Sequence, residues 1–225
     1  MDIPLILENW PLFMEGLFNT VWLVGLALLL GGLLAIPLAV TQAYKVPVLG
    51  KISFGFSYAL RGTPLLVQLY IIYYGLGQFE AVRNSVLWPF LHKPHFCALL
   101  GFSLNSAAYA SEIIRGAIVR IPRGSIEAAL AMGMSRLLMI RRIILPIAYR
   151  RSIFAYSNEV IFMLHGSVIA STITIIDILG AGRRLNSQYY VVYEGFITAA
   201  ILYMIIVFAI SIAFRWIEKR YAIKN

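Results

Sequence analysis

Charge is scarce in this chain. Only 13% of its 225 residues are Asp, Glu, Lys or Arg, against about 25% in soluble globular domains. Hydrophobic residues make up 60%, where about 45–50% is usual. A mean hydropathy of +0.81 agrees, so the bulk of the chain is expected to be solvated by lipid. Cysteine is almost absent: Cys97 stands alone and cannot form an intrachain disulfide. No G-x-x-x-x-G-K-[ST] phosphate loop occurs, since Gly50-Lys51 lacks both the upstream glycine and the following hydroxyl. A basic leader region is missing too, because residues 1–16 carry Asp2, Glu8 and Glu15 but no Lys or Arg; no cleavable signal is expected. Catalytic groupings are lacking as well, with no Ser/His/Asp set and no nucleophile elbow. His92 and His95 have a possible ligand spacing, but Pro94 between them and a single nearby carboxylate, Glu80, argue against a metal.

What the chain does have is long apolar runs. A spanning helix needs roughly 20 such residues. Four runs qualify at once: about Leu17–Val40, Ser57–Leu76, Phe96–Ile118 and Phe196–Trp216. A fifth, about Ser152–Ala170, is interrupted by Asn158, Glu159 and His165 yet is long enough. The expected fold class is therefore all-α integral membrane, with five transmembrane helices in one domain, 1–225. Pro4–Glu15 mixes Leu, Ile, Trp and Phe with two carboxylates and reads as an interfacial amphipathic helix anchored by Trp10.

The net charge of +9 is not spread as a nucleic-acid stripe, so no nucleic-acid partner is expected. Its basic residues fall in the gaps between apolar runs. Lys45 and Lys51 follow the first run, Arg115, Arg120, Arg123, Arg136, Arg141, Arg142, Arg150 and Arg151 the third, and Arg215, Lys219, Arg220 and Lys224 the last. The other side receives only Arg83, Lys93, Arg183 and Arg184, with Arg61 left at the entry to the second run. An N-terminus outside and a C-terminus inside follow from the positive-inside rule. Residues 171–194, with Asp177, Gly180, Gly182, Arg183 and Arg184, are too polar to span simply. They read either as a plain outer loop or as irregular structure against a water-filled path.

The cytoplasmic stretch from Ile121 to Pro146 has its own design. Ser125 can cap a short helix, with Glu127 in its positive first turn. Ala128, Ala129 and Ala131 keep that helix slim, and Gly133 supplies a left-handed stop. Ser135 can then cap a second helix along the membrane that ends near Pro146. On local physics this is a helical hairpin. The order Glu127-Ala128-Ala129, three residues, Gly133, nine residues, Ile143, one residue, Leu145-Pro146 resembles without a gap the loop of the inner-membrane permeases of ABC importers.

Further segments narrow the resemblance. Arg61-Gly62-Thr63-Pro64-Leu65-Leu66-Val67-Gln68-Leu69, Gly16 with Thr20, and Tyr109 through Ile118 look like signatures of polar amino acid permeases. Tyr156-Ser157-Asn158-Glu159-Val160-Ile161 through Leu164-His165 is most similar to the histidine, lysine, arginine and ornithine branch, which includes permeases for arginine-derived opines. The resemblance implies a type I ABC importer permease fold. It implies a cytoplasmic coupling helix in the loop 119–150, with Glu127, Ala128, Ala129 and Gly133 at the contact. It also implies partner ABC ATPase subunits carrying ATP and Mg, with no cofactor in this chain, a second permease subunit (sibling or identical), an extracytoplasmic solute-binding protein and a bacterial inner-membrane location. The function implied is ATP-driven import of polar, cationic amino acids or opines, this subunit not being an enzyme. A stand-alone secondary transporter or channel is the competing reading, which five spans without inverted halves disfavour.

Carboxylates inside apolar runs need a reason, since each costs roughly 2.5–3.5 kcal/mol on insertion scales. Glu112 has Arg115 one turn on for a local ion pair, and its face carries Gly101, Asn105 and Ala108, a small polar stripe fit for packing or for lining a path. Glu159 has Phe162 and Met163 at i+3 and i+4, so it must face water, a partner chain or a cationic ligand. Asn158 and His165, seven residues apart, share another face. Glu159, Asn158, His165, Glu112 and Asn105 are the candidate path residues.

Overall fold

The computed structural model describes residues 3–221, and Asp2 and Lys224 lie outside the described residues. Helices α1 (Ile3–Glu8) and α2 (Trp10–Ala43) replace the single interfacial helix expected over Pro4–Glu15. The chain turns at Asn9, whose side-chain amide donates to the carbonyl of Leu5 at 3.0 Å. Pro11, at the start of α2, lacks the N–H that would continue α1 but suits a first turn.

Among the described residues, four helical stretches are long and apolar enough to cross a membrane. They are α2, α7 (Pro94–Val119), the run Arg136–Ile173 and α12 (Val192–Tyr221). The expected span Ser57–Leu76 is not a single helix. It is divided into α3 (Leu49–Gly62), α4 (Leu65–Tyr70), a π turn (Ile71–Gly75) and a 3-10 turn (Leu76–Gln78). The break falls at extended Thr63 and Pro64, because proline removes a helical donor and forces its predecessor out of the helical region. Two short helices, α5 (Glu80–Arg83) and α6 (Trp88–Leu91), then lead to α7.

The tightest seam in the bundle runs between α2 and α7. Ala27, Gly31, Ala35 and Ala39 recur every four residues and are buried. A Cβ on Gly31 would stand 2.7 Å from the Cβ of Ser106 and 2.8 Å from the carbonyl oxygen of Ser103. Small residues let two backbones approach this closely, and inside lipid such packing substitutes for a hydrophobic driving force. Near the other end of the seam, Gln42 of α2 donates to the Ser53 carbonyl and to Ser57 Oγ, both at 3.1 Å. Ser57 Oγ in turn lies 3.0 Å from Ser111 Oγ of α7, so α3 is tied to both long helices by buried polar contacts.

After α7 come α8 (Arg123–Ala131), α9 (Arg136–Met139), a π turn (Ile140–Ile144) and α10 (Leu145–Gly166), which runs into 3-10 structure over Ser167–Ile173. Two local expectations are corrected here. Pro122, not Ser125, precedes the first helical residue of α8, and no side chain caps that end. Pro146 does not end the helix begun at Ser135. The π turn lies just before it, in the stretch where the proline ring would otherwise crowd the preceding turn, and the chain continues into the bilayer.

Residues 171–194 form a packed element rather than a plain loop. Thr174 takes a left-handed conformation (φ 70°), and α11 (Ile178–Tyr189) follows, capped by Asp177, whose Oδ1 accepts from the Gly180 amide at 2.6 Å. Oδ2 of Asp177 accepts from Tyr203 of α12 at 3.2 Å. Helix α11 buries Ile178, Ala181, Gly182 and Leu185 in a cluster with Phe13 of α2 and Ala199 and Leu202 of α12.

Candidate functional site

The site begins with a repair of the break at Pro64. Leu60 stands four residues before Pro64, so its carbonyl has no backbone N–H to receive. Gln68 supplies the missing donor. Its side-chain amide donates to Leu60 O at 2.7 Å, Thr63 O at 3.0 Å and Thr63 Oγ1 at 2.8 Å. Its oxygen accepts from Asn105 Nδ2 of α7 at 3.2 Å. Asn105 thus holds the side chain that holds the break.

Beside this brace lies a cavity of about 540 Å³, lined among others by Leu65, Asn105, Tyr109, Asn158, Glu159 and Met163. Three of the candidate residues, Asn105, Asn158 and Glu159, therefore meet in one space. Glu159 is buried, at 6% exposure. Among the described residues it makes no salt bridge, and the guanidinium of Arg61 acts on it at longer range. His165 is exposed and does not line the cavity, and neither does any residue of 171–194.

Glu112 sits one step away. It accepts from Arg115 Nε at 2.9 Å and from a second nitrogen of the same guanidinium, the i, i+3 pair that the spacing suggests. Arg61 approaches the same carboxylate at 3.6 Å and stands over the Tyr109 ring, 5.6 Å from its centroid. A guanidinium on an aromatic face keeps its attraction for carboxylates. Glu112 lines a second, more polar cavity of about 430 Å³ with Arg120, Arg150 and Arg151. Ile113 and Ala155 line both cavities. The two are neighbours along one side of α7 and α10, running from Glu159 toward the arginine-rich end.

Neither the reach of Arg61 to Glu112 nor the brace made by Gln68 is among the expectations from the sequence. Arg61 reaches Glu112 only through the fold, across more than fifty positions, and no local pattern announces it. Gln68 was findable, because an amide side chain four residues after a mid-span proline can donate to the freed carbonyl.

At the arginine-rich end, α8 presents Glu127, Ala128 and Leu130 to the outside, with Ala129 buried against Ile121, Met139 and Ile144. Gly133 has φ 76° with no atom within 4 Å of a notional Cβ. Its requirement is the left-handed backbone itself and not close packing. Ser135 caps α9 by accepting from the Leu138 amide at 3.4 Å. Met132 and Leu137 are 73% and 77% exposed.

Residues 27–223 match the family described as binding-protein-dependent transport system inner membrane component, and the chain belongs to that family. Within it, the chain is 42% identical over 212 residues to the nopaline transport system permease protein of Agrobacterium fabrum, covering 94% of this chain and 88% of that protein. It is 41% identical over 207 residues to the histidine/lysine/arginine/ornithine transport system permease protein of Escherichia coli K12, covering 92% and 87%. Among solved structures, an amino acid ABC transporter crystallised with histidines superposes with a TM-score of 0.84 at 30% identity, over 98% of this chain and 99% of that one. A subunit of the methionine ABC transporter MetNI in an inward-facing state shares the fold, with a TM-score of 0.77 at 19% identity over 99% and 100%. The protein is thus a multi-pass inner-membrane permease of the ABC type.

Proposed function

We propose that this chain is the membrane subunit of an ATP-driven importer for cationic amino acids or arginine-derived opines. The observation that carries the substrate class is Glu159, a buried carboxylate without an ion-pair partner among the described residues, facing a cavity with Asn158 and Asn105. A cationic side chain would satisfy it through charge-assisted hydrogen bonds. Relatives named for nopaline and for histidine, lysine, arginine and ornithine support the same class. The neighbouring cavity at Glu112 adjoins this one toward the arginine-rich end, and His165 lines neither. The whole of 1–225 acts as one permease domain.

Orientation follows the basic residues, with the N-terminus periplasmic and the C-terminus cytoplasmic. This requires the divided segment Leu49–Gln78 to complete a fifth crossing as a discontinuous element. Breaks at depth are tolerated where side chains re-satisfy the backbone, as Gln68 does here. Helix α8 is the coupling helix. Leu130, Met132 and Leu137 are exposed apolar side chains at this end, and the slim Glu127-Ala128-Ala129 edge with Gly133 fits a groove on an ATPase subunit. That subunit binds ATP and Mg, and this one has no catalytic role of its own. A second permease subunit, identical or a sibling, closes the path, and an extracytoplasmic solute-binding protein delivers the solute. ATP-driven closure of the ATPase pair moves α8, and the cavity alternates its access.

The test is reconstitution. Co-expressed with its ATPase and second permease subunits, the chain should form a complex that concentrates arginine or an arginine-derived opine in vesicles. Uptake should require ATP and the solute-binding protein. A solitary chain that concentrates solute without ATP would overturn the assignment.

A further inference from the structure

A third cavity lies on a different face of α10, away from Glu159. It measures about 550 Å³ and opens between α2, α10 and α12. Its walls are apolar: Leu29 and Leu33 from α2, Ile153 from α10 and Phe214 from α12 are among them. Gly32 and Tyr156 set its depth, since a Cβ on Gly32 would stand only 3.4 Å from the Tyr156 hydroxyl, which itself donates to Leu28 O. A larger side chain at position 32 would fill the space. Leu29 and Leu33 are each 60% exposed on the outer surface of a span, so the groove opens toward the hydrocarbon of the bilayer.

One end of this groove is not apolar. Arg150 lines it, and Arg150 also lines the polar cavity that holds Arg120 and Arg151. Arg151 donates to the Arg120 carbonyl and leaves its Nε without a partner; among the described residues neither Arg150 nor Arg151 makes a salt bridge, and Glu112 in that cavity is already paired with Arg115. Tyr149 and Tyr221 stand at the same end, where amphipathic rings mark the level of lipid headgroups. An apolar slot that faces hydrocarbon and ends at an arginine among arginines has the chemistry of one molecule: an acyl chain joined to an anionic phosphate.

We propose that this groove is a specific site for an anionic phospholipid, one acyl chain lying between α2, α10 and α12 and the phosphate resting on Arg150. The leaflet is the one at the arginine-rich end. The site needs only that the chain spans a bilayer, and it is independent of which solute is carried. An arginine pairs well with phosphate oxygens through its planar fork. Because the slot shares α10 with the Glu159 cavity, an occupant would brace that helix from behind.

The complete transporter, purified in mild detergent and exchanged into nanodiscs of phosphatidylglycerol and phosphatidylethanolamine, would be read by native mass spectrometry. One phosphatidylglycerol per copy of this chain should be retained after delipidation. Arg150→Gln should leave a lipid bound but lower the preference for phosphatidylglycerol about five-fold, the effect of one basic residue near an anionic surface. Gly32→Phe and Ile153→Trp should each expel the lipid, with Arg150→Gln serving as the surface variant least able to disturb folding. No retained lipid in the wild-type complex, as when the second permease subunit covers the groove, would overturn the site. So would a phosphatidylglycerol preference that Arg150→Gln leaves unchanged, or retention unaffected by either bulky variant in an assembled complex.

Discussion

Gly182 and Gly195 meet backbone to backbone. A Cβ on Gly195 would stand 2.6 Å from the carbonyl oxygen of Gly182, and one on Gly182 would stand 2.8 Å from that of Gly195. Helix α11 is pinned to the last span at this crossing, and on its other side Gly16 of α2 touches the Asp177 carbonyl just as closely, at 2.6 Å from a notional Cβ. Thr20 adds a hydrogen bond, accepting from the Ile178 amide at 3.3 Å. Neither glycine can take a side chain unless two backbones part. Gly195→Ala should cost about 1–3 kcal/mol, as overpacking does, and Gly195→Leu should prevent folding. Thermal unfolding of the purified complex checks this, and an unchanged midpoint for Gly195→Ala would show that the crossing is looser than described.

Gln68 gives a sharper stability test. Gln68→Leu keeps the bulk and strips the donor from Leu60 and Thr63, so two carbonyls lose their partner. The expected loss is about 1–3 kcal/mol, seen as a lower melting point. Asn105→Ala removes only the contact that orients Gln68 and should cost less, about 1 kcal/mol. Equal losses from the two would mean that Asn105 acts on something besides Gln68.

Gly133 separates backbone from contact. With φ at 76° and open space around it, Gly133→Ala pays only the left-handed penalty of about 1–2 kcal/mol. Gly133→Asn, which tolerates that conformation, should retain more activity than Gly133→Ala. The measurement is ATP hydrolysis stimulated by loaded binding protein, with membrane insertion checked in parallel. Normal stimulation in Gly133→Leu would sink the coupling role of α8.

Glu159→Gln keeps shape and removes charge. Uptake of a cationic solute should fall roughly tenfold or more, since a hydrogen bond to a charged group contributes about 1.5–3 kcal/mol. Uptake of a neutral relative delivered by the same binding protein should change little. Equal losses would make the carboxylate structural, and no loss for either would place it outside the path.

The apolar runs at Leu17–Val40, Phe96–Ile118 and Phe196–Trp216 were enough to find three spans, because lipid demands length and hydropathy that nothing else in a sequence imitates. The segment Ser57–Leu76 is less apolar, carrying Arg61 and Gln68, and it is divided. Pro64 was in plain view, but only the Gln68 side chain makes a break there tolerable in the bilayer, and that pairing is tertiary. Pro146 misled in the opposite direction, since a π turn just before it lets the helix run on. The ion pair of Glu112 with Arg115 could be read from spacing alone. The approach of Arg61 to the same carboxylate could not, because it joins helices far apart along the chain.

From Arg136 to Ile173 the chain is helical without interruption. Arg136 lies beside the exposed elbow at Gly133, while Glu159 stands 23 residues further on, roughly 35 Å along the axis at 1.5 Å per residue. A continuous rod of that length transmits torque as well as thrust. If α8 carries the ATPase motion as proposed, a few degrees of rocking at the elbow would sweep the far end sideways by ångströms, and a twist about the axis would turn the Glu159 carboxylate relative to its cavity wall. On that reading the helix would work as a crank, its throw set by the roughly 35 Å between Arg136 and Glu159.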